Sequence, residues 1–250
     1  MAKNKYYSQI RQDRYIDFFF SRKENGVFLD IGANDGITLS NSYFLEKDRH
    51  WTGICVEPIP SSFEKLKANR SCIVENCCIT DEEGVVIFRE ITGHAEMLSG
   101  ILDFFDDAHL NRIEKDIAEF GGTYRDMEIK ARNINNILKE NGIHTIDYCS
   151  IDTEGAEELI VKSIDFDKYN IKTFTIENNN NNNDNALREY LKQKGYKHVL
   201  CIWDDMYFKK GMPRIYRTMF LVYLFKFTNW INNRPFIIKQ ILRKRGLLKK

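Results

Sequence analysis

No Asp or Glu occurs after Asp205, while the same tail carries 12 Lys and Arg. The first 205 residues hold 25 basic and 36 acidic side chains, a charge of −11 inside a whole-chain total of +1. An acidic body with a basic tail predicts that the tail meets something anionic. No C-x-x-C pair occurs among the six cysteines, Cys55, Cys72, Cys77, Cys78, Cys149 and Cys201, and neither they nor the histidines have the spacing of a zinc site. They read as buried, reduced thiols of a cytosolic-type compartment. A spanning helix needs about 20 apolar residues. Met219 to Ile231 falls short and Lys226 interrupts it. This stretch is expected to lie on a membrane surface or to pack on a partner, with a second copy as one option. No positively charged leader with an apolar core opens the chain, so the expected location is the cytoplasm, peripheral at a membrane if the tail binds one. Hydrophobic and charged fractions of 43% and 29% suit a soluble globular protein.

The most informative stretch is Gly26 to Gly36. Phe28, Leu29 and Ile31 read as a strand covered on both faces, running into a glycine-punctuated turn. Asp30 falls near the strand end, and Gly32 and Gly36 are expected to let the backbone approach a ligand. Strand, glycine turn and following helix make the plan of a nucleotide-type site. A dinucleotide fingerprint wants three glycines, and Asp30-Ile31-Gly32-Ala33-Asn34-Asp35-Gly36 has two. Glu57 closes the next apolar run, Trp51 to Val56, at the interval that suits ribose hydroxyls. Asp30 facing a cationic amino-acid end and Glu57 holding the ribose suit S-adenosylmethionine better than a pyrophosphate, which an extra carboxylate would repel.

These residues, with Leu39-Ser40-Asn41-Ser42 and Val56-Glu57-Pro58, resemble the FkbM-type methyltransferases. So do Tyr7-Ser8-Gln9, Gln12-Asp13, Ser150 to Glu157 and Glu177-Asn178-Asn179. The resemblance spans roughly residues 7 to 208, and Asp152-Thr153-Glu154-Gly155-Ala156-Glu157 is its most specific segment. It implies a Rossmann-like, class I S-adenosylmethionine fold that methylates hydroxyl groups, often on sugars or secondary metabolites. The fold expected is α/β, a seven-stranded mixed sheet with helices on both faces, over residues 1–210. A basic, partly apolar tail, 211–250, follows. Expected cofactor contacts are Asp30, Gly32, Ala33, Asn34, Gly36, Asn41, Glu57, Pro58 and Cys77. The resemblance adds Gln9 and Asp13 over the pocket. The family usually has glycine before the second Gln, where this chain has Arg11, and often His where it has Asn178.

Along the chain, residues 3 to 21 suggest a short amphipathic helix, and Ser61 with Glu64 matches a capping box for a helix over about 62–69. Cys72 to Ile79 reads as the third strand and Val85 to Ile91 as a further one. Leu102 to Phe120 carries a helical stripe ended by Gly121-Gly122. Met127 to Ala131 reads as a strand, and Ile134 to Asn141 as a helix closed by Gly142. Ile146 to Ile151 is the fourth core strand, delivering Asp152, and Ala156 to Ile164 the helix after it. Lys172 to Ile176 delivers Glu177. Asn178 to Asn183 reads as a loop. Ala186 to Lys194 is a helix, and Val199 to Trp203 with Met206 to Phe208 an antiparallel pair closing the sheet.

Methyl transfer to an alcohol needs the reactants held in line and a group to take the proton. Asp152, Glu154 and Glu177 are the candidate bases, and His94 a weaker one. Asp152 and Glu177 would instead hold Mg²⁺ if a hard cation does this work. In the plainest reading Asp152 caps the following helix and Glu154 and Glu157 satisfy its first turn. The expected partner is a small-molecule or glycan substrate, with no nucleic acid. Two other classes stay open, a nicotinamide oxidoreductase and a non-catalytic scaffold that binds membranes or partners.

Overall fold

The structure is a computed structural model that describes residues 5–178, 185–200 and 204–224. The chain divides after Gly211 into two units. In chain order the first unit contains α1 (Gln12–Phe19), β1 (Val27–Ile31), α2 (Tyr43–Arg49), β2 (Thr52–Val56), α3 (Pro60–Asn69), β3 (Ile73–Glu75), β4 (Cys78–Thr80), β5 (Gly84–Ile91) and β6 (Gly100–Ile101). Then come α4 (Asp107–Phe120), β7 (Tyr124–Asn133), α5 (Ile134–Glu140), β8 (Thr145–Ile151), α6 (Glu157–Ser163), β9 (Asn170–Glu177), α7 (Asn185–Gln193), β10 (Tyr196–Leu200) and β11 (Asp204–Lys209).

Seven strands form the main sheet in the order β3-β2-β1-β8-β9-β11-β10. All neighbours are parallel except β11, which runs antiparallel to both β9 and β10. This is the seven-stranded mixed, Rossmann-like sheet expected from the sequence. Parallel strands are covered on both faces, so β1 and β8 read as continuous apolar runs. Leu29 and Ile31 join one core with Ile137 of α5, Ile160 of α6 and Leu187 of α7. On the other side Phe19 of α1 stacks on Phe208 of β11, ring centroids 4.6 Å apart. The carboxyl ends of β1, β2, β8 and β9 therefore open along one edge, where the site lies.

A second sheet, β4-β7-β5-β6, was not foreseen. The stretch 72–79 is not one strand. β3 pairs with β2 in the main sheet, while β4 pairs with β7 in the second. Asn76 sits at the break, its side-chain amide donating to the carbonyls of Glu57 (2.8 Å) and Pro58 (3.0 Å). The antiparallel pair of β5 and β7 joins Gly84 to Ala131 and Ile91 to Tyr124, longer than the 127–131 strand expected.

Other boundaries shift for local reasons. α3 starts at Pro60 without a side-chain cap, so the expected capping box does not form; proline at the first helical position sets the start. The 102–120 stripe is broken at Phe105, whose backbone is extended. Asp106 then caps α4, accepting from the His109 amide at 2.7 Å. The 3–21 helix reduces to Gln12–Phe19. The loop expectation for Asn179 to Asp184, the end of the 199–203 strand, Cys201 and the tail beyond Leu224 lie outside the described residues. In the second unit, residues 215–224 are helical. Among the described residues no helix is long and apolar enough to cross a membrane.

Candidate active site

The turn after β1 is held from three sides. Gly32 and Ala33 donate their amides to the Val56 carbonyl, each at 3.0 Å. The Asp152 amide donates to the Ile31 carbonyl at 3.0 Å. Gly32 has φ +87, and a Cβ on it would stand 1.8 Å from the Asp152 carbonyl oxygen. Gly36, at φ +80, would meet Leu66 and Arg70. Both glycines are thus required by the turn's conformation and by protein packing.

Glu57 at the end of β2 locks this turn. Its carboxylate accepts from the Asn34 amide (2.8 Å) and the Ile59 amide (2.9 Å). Only 4% of it is exposed, and burial pushes its pKa up to about 7. Gly32, Asn34, Glu57, Pro58 and Cys77 line a cavity of about 420 Å³. Asp152, Thr153 and Glu154 form its floor at the end of β8, and Phe88, Glu90 and Met97 of the second-sheet region form the far wall.

Six expected contacts lie elsewhere. Asp30 is inside the protein, not on the cavity. It alternates with Leu29 and Ile31, so it faces the opposite side of the sheet. There it accepts from the Ser42 hydroxyl at 2.5 Å, close to the Arg70 guanidinium. Desolvation raises its pKa, opposed by Arg70 and Ser42. Arg70 in turn donates to Glu46 (2.6 Å), Ser42 (2.9 Å) and the Gly36 carbonyl (3.1 Å). Ala33 and Gly36 shape the turn without lining the cavity. Asn41 donates to Ser150 at 2.9 Å, and its buried carbonyl oxygen Oδ1 has no hydrogen-bond partner in the structure. Gln9 is exposed and does not line the cavity. Asp13 is buried, accepting from the amides of Tyr7 and Ser8. Arg11 has φ +70, which accounts for the glycine usual at that place in the resembling sequences.

Asp152, Glu154 and Glu177 come together, with one carboxylate oxygen of each within 4.8 Å of the others. Asp152 shares a hydrogen bond with Glu177, which requires one proton between them. The Asp152 carboxylate reaches the cavity, yet protein surrounds it closely. Desolvation first, then the Asp204 charge, pushes its pKa up to about 7. Burial and then Asp152 raise Glu177 well above the usual carboxylate range. Asp152 is therefore no helix cap. The cap position of α6 is Ala156, without a side-chain cap, and Glu157 instead braces the turn before the helix, accepting from the amides of Thr153 and Gly155. His94 stacks on Phe120 at 4.3 Å and does not line the cavity.

Sequence reasoning missed Asp204 and Gln12. Gln12 donates to Asp204 at 2.5 Å, and burial pushes Asp204 up to about 6. The available signal was the Asp204-Asp205 pair opening the Met206 to Phe208 strand. An antiparallel strand begins at the edge where its parallel neighbours end, so its first acid joins theirs.

Residues 30–198 match the family described as Methyltransferase FkbM domain. Among solved structures, the human methyltransferase 10 domain containing protein is 14% identical over 80% of this chain and 82% of that one, with a TM-score of 0.41. Precorrin-6y C5,15-methyltransferase from Geobacter metallireducens GS-15 is 10% identical over 84% and 93%, with a TM-score of 0.44. No curated protein matches the chain.

Proposed function

The chain belongs to the FkbM methyltransferase family, and from that premise we propose that it moves the methyl group of S-adenosylmethionine to a hydroxyl of a sugar, a glycan or a related metabolite. One observation carries this reading: the cavity lined by Glu57 is also lined by Asp152 and Glu154. A cofactor-type carboxylate and a base-type carboxylate thus face the same space.

The residues fit the cofactor. Glu57 keeps acceptor capacity for ribose hydroxyls beyond the two amides it already binds. Cys77, Cys78 and Ile79 offer an apolar wall for adenine. When bound, the cofactor supplies a methyl carbon activated by its sulfonium. Asp152 would take the proton of an acceptor hydroxyl held against that carbon. With a pKa of about 7, that carboxylate is matched to this task near neutral pH. Glu177, hydrogen-bonded to Asp152, sets how readily the proton is accepted. The same carboxylates suit Mg²⁺, and the 4.8 Å grouping favours that second reading. A chelator that leaves turnover unchanged would set the metal aside.

The test is incubation of the purified chain with methyl-labelled cofactor and a panel of neutral methyl glycosides. Methyl ethers are expected. No transfer, or transfer only to nitrogen or carbon, overturns the reading, and cofactor binding without turnover would favour the scaffold alternative.

Glu57 also predicts a pH dependence. Burial raises its folded pKa from 4.5 to about 7. Its contribution to stability is therefore complete below the unfolded value and is lost as pH rises through about 7. Cofactor binding runs the other way, because ribose hydroxyls donate best to the ionised carboxylate. Calorimetric titration should show affinity rising about tenfold from pH 6 to 8 and then levelling. A flat profile would remove Glu57 from the binding step.

A further inference from the structure

The helix over 215–224 is two-faced. Ile215, Thr218 and Val222 are buried, whereas Tyr216 is 76% and Phe220 64% exposed, with Tyr223 and Leu224 exposed beside them. The spacing of 216, 220, 223 and 224 is that of a single helical stripe. Lys209, Lys210, Arg214 and Arg217 precede or flank that stripe, and the tail holds eight more cations and no acid.

We propose that this stripe inserts into the headgroup region of an anionic lipid bilayer, with Arg214 and Arg217 beside it held against the lipid phosphates. Three features favour that occupant. Tyr rings present an apolar body and a polar tip, which suits an interface between hydrocarbon and water. Leu224 has no ring on which a nucleic-acid base could stack, so the apolar part of the stripe is better matched to acyl chains than to an RNA. Two copies meeting through this face would bring two sets of cations together with no acid of the tail between them. Apolar insertion and attraction to anionic lipid then add, as they do for interfacial helices.

The experiment is vesicle flotation of the full-length protein, independent of any acceptor. Phosphatidylcholine vesicles are compared with mixed phosphatidylcholine–phosphatidylglycerol vesicles. Binding should be at least about tenfold tighter to the mixed vesicles and should weaken as sodium chloride is raised. The double variant Phe220→Ser/Tyr223→Ser should lose at least about tenfold of that affinity, with cofactor affinity unchanged. Equal binding to both vesicle types, or no binding, overturns the proposal. So does salt-sensitive binding to single-stranded RNA in the absence of vesicle binding, or a concentration-dependent dimer that the double variant abolishes. If the double variant fails to fold, the lipid and salt dependence of the unaltered protein still decides.

Discussion

Asp152→Asn and Glu177→Gln are each expected to lower kcat by about 10²–10⁴-fold, the range for loss of a positioned general base. Both substitutions keep shape and remove charge, so the dissociation constant of S-adenosylmethionine should change less than about threefold. The two carboxyls share a proton, and the loss of either leaves the other in a changed field. That gives each variant its own signature. In Glu177→Gln the hydrogen bond that holds the Asp152 pKa down is weakened while burial and the Asp204 charge remain, so the residual rate should titrate with a midpoint no lower than the wild-type value of about 7. In Asp152→Asn the midpoint near 7 should vanish. Single-turnover assays with labelled cofactor at a series of pH values would read both. A kcat within a few-fold of wild type in Asp152→Asn would remove the carboxylate pair from the chemistry and return the base to another group.

The parts of this site that were legible share one physical origin. Strands covered on both faces must be apolar throughout, so β1, β2, β8 and β9 announce themselves, and the acid after each run falls at the same sheet edge. Glu57, Asp152 and Glu177 were placed at that edge in this way, and there the structure has them. Asp30 was read as facing the cationic end of a ligand, from its place near a strand end and without its alternation. Leu29 and Ile31 point to one core, so Asp30 between them must point to the other, where Ser42 and Arg70 receive it. The second sheet was not legible because β5 and β7 pair across a long intervening segment, and no local pattern encodes such a pairing. Asn76 offered no signal of its own, since its role is to bind carbonyls brought near by the ends of other elements. Asp204 depended on the insertion of an antiparallel strand between two others, a feature of topology rather than composition.

Gly32→Ala should show how far cofactor turn and base depend on one contact. Two glycines of similar backbone separate the effects. Gly142 has φ +64 and open space where a Cβ would go. Alanine there meets only the left-handed backbone cost, about 1 kcal/mol, or roughly 2–4 °C in Tm for a domain of this size. Gly32 adds a clash at 1.8 Å with the Asp152 carbonyl oxygen, which belongs to the backbone and cannot rotate aside. Overpacking of that kind costs about 1–3 kcal/mol beyond the backbone term, so a Tm loss of roughly 5–15 °C is expected. The functional loss should exceed the stability loss. Relief of the clash must separate the turn from the end of β8. That would draw the Asn34 amide away from Glu57 and the Asp152 carboxylate away from the cavity floor together. Cofactor affinity should therefore fall at least about 100-fold in protein that is still folded, because small displacements of a positioned group carry penalties of that order. Calorimetry at a temperature well below the lowered Tm separates the two. Cofactor affinity within a few-fold of wild type in folded Gly32→Ala would mean that the turn and the strand end move independently, and that the cavity is not built as one unit.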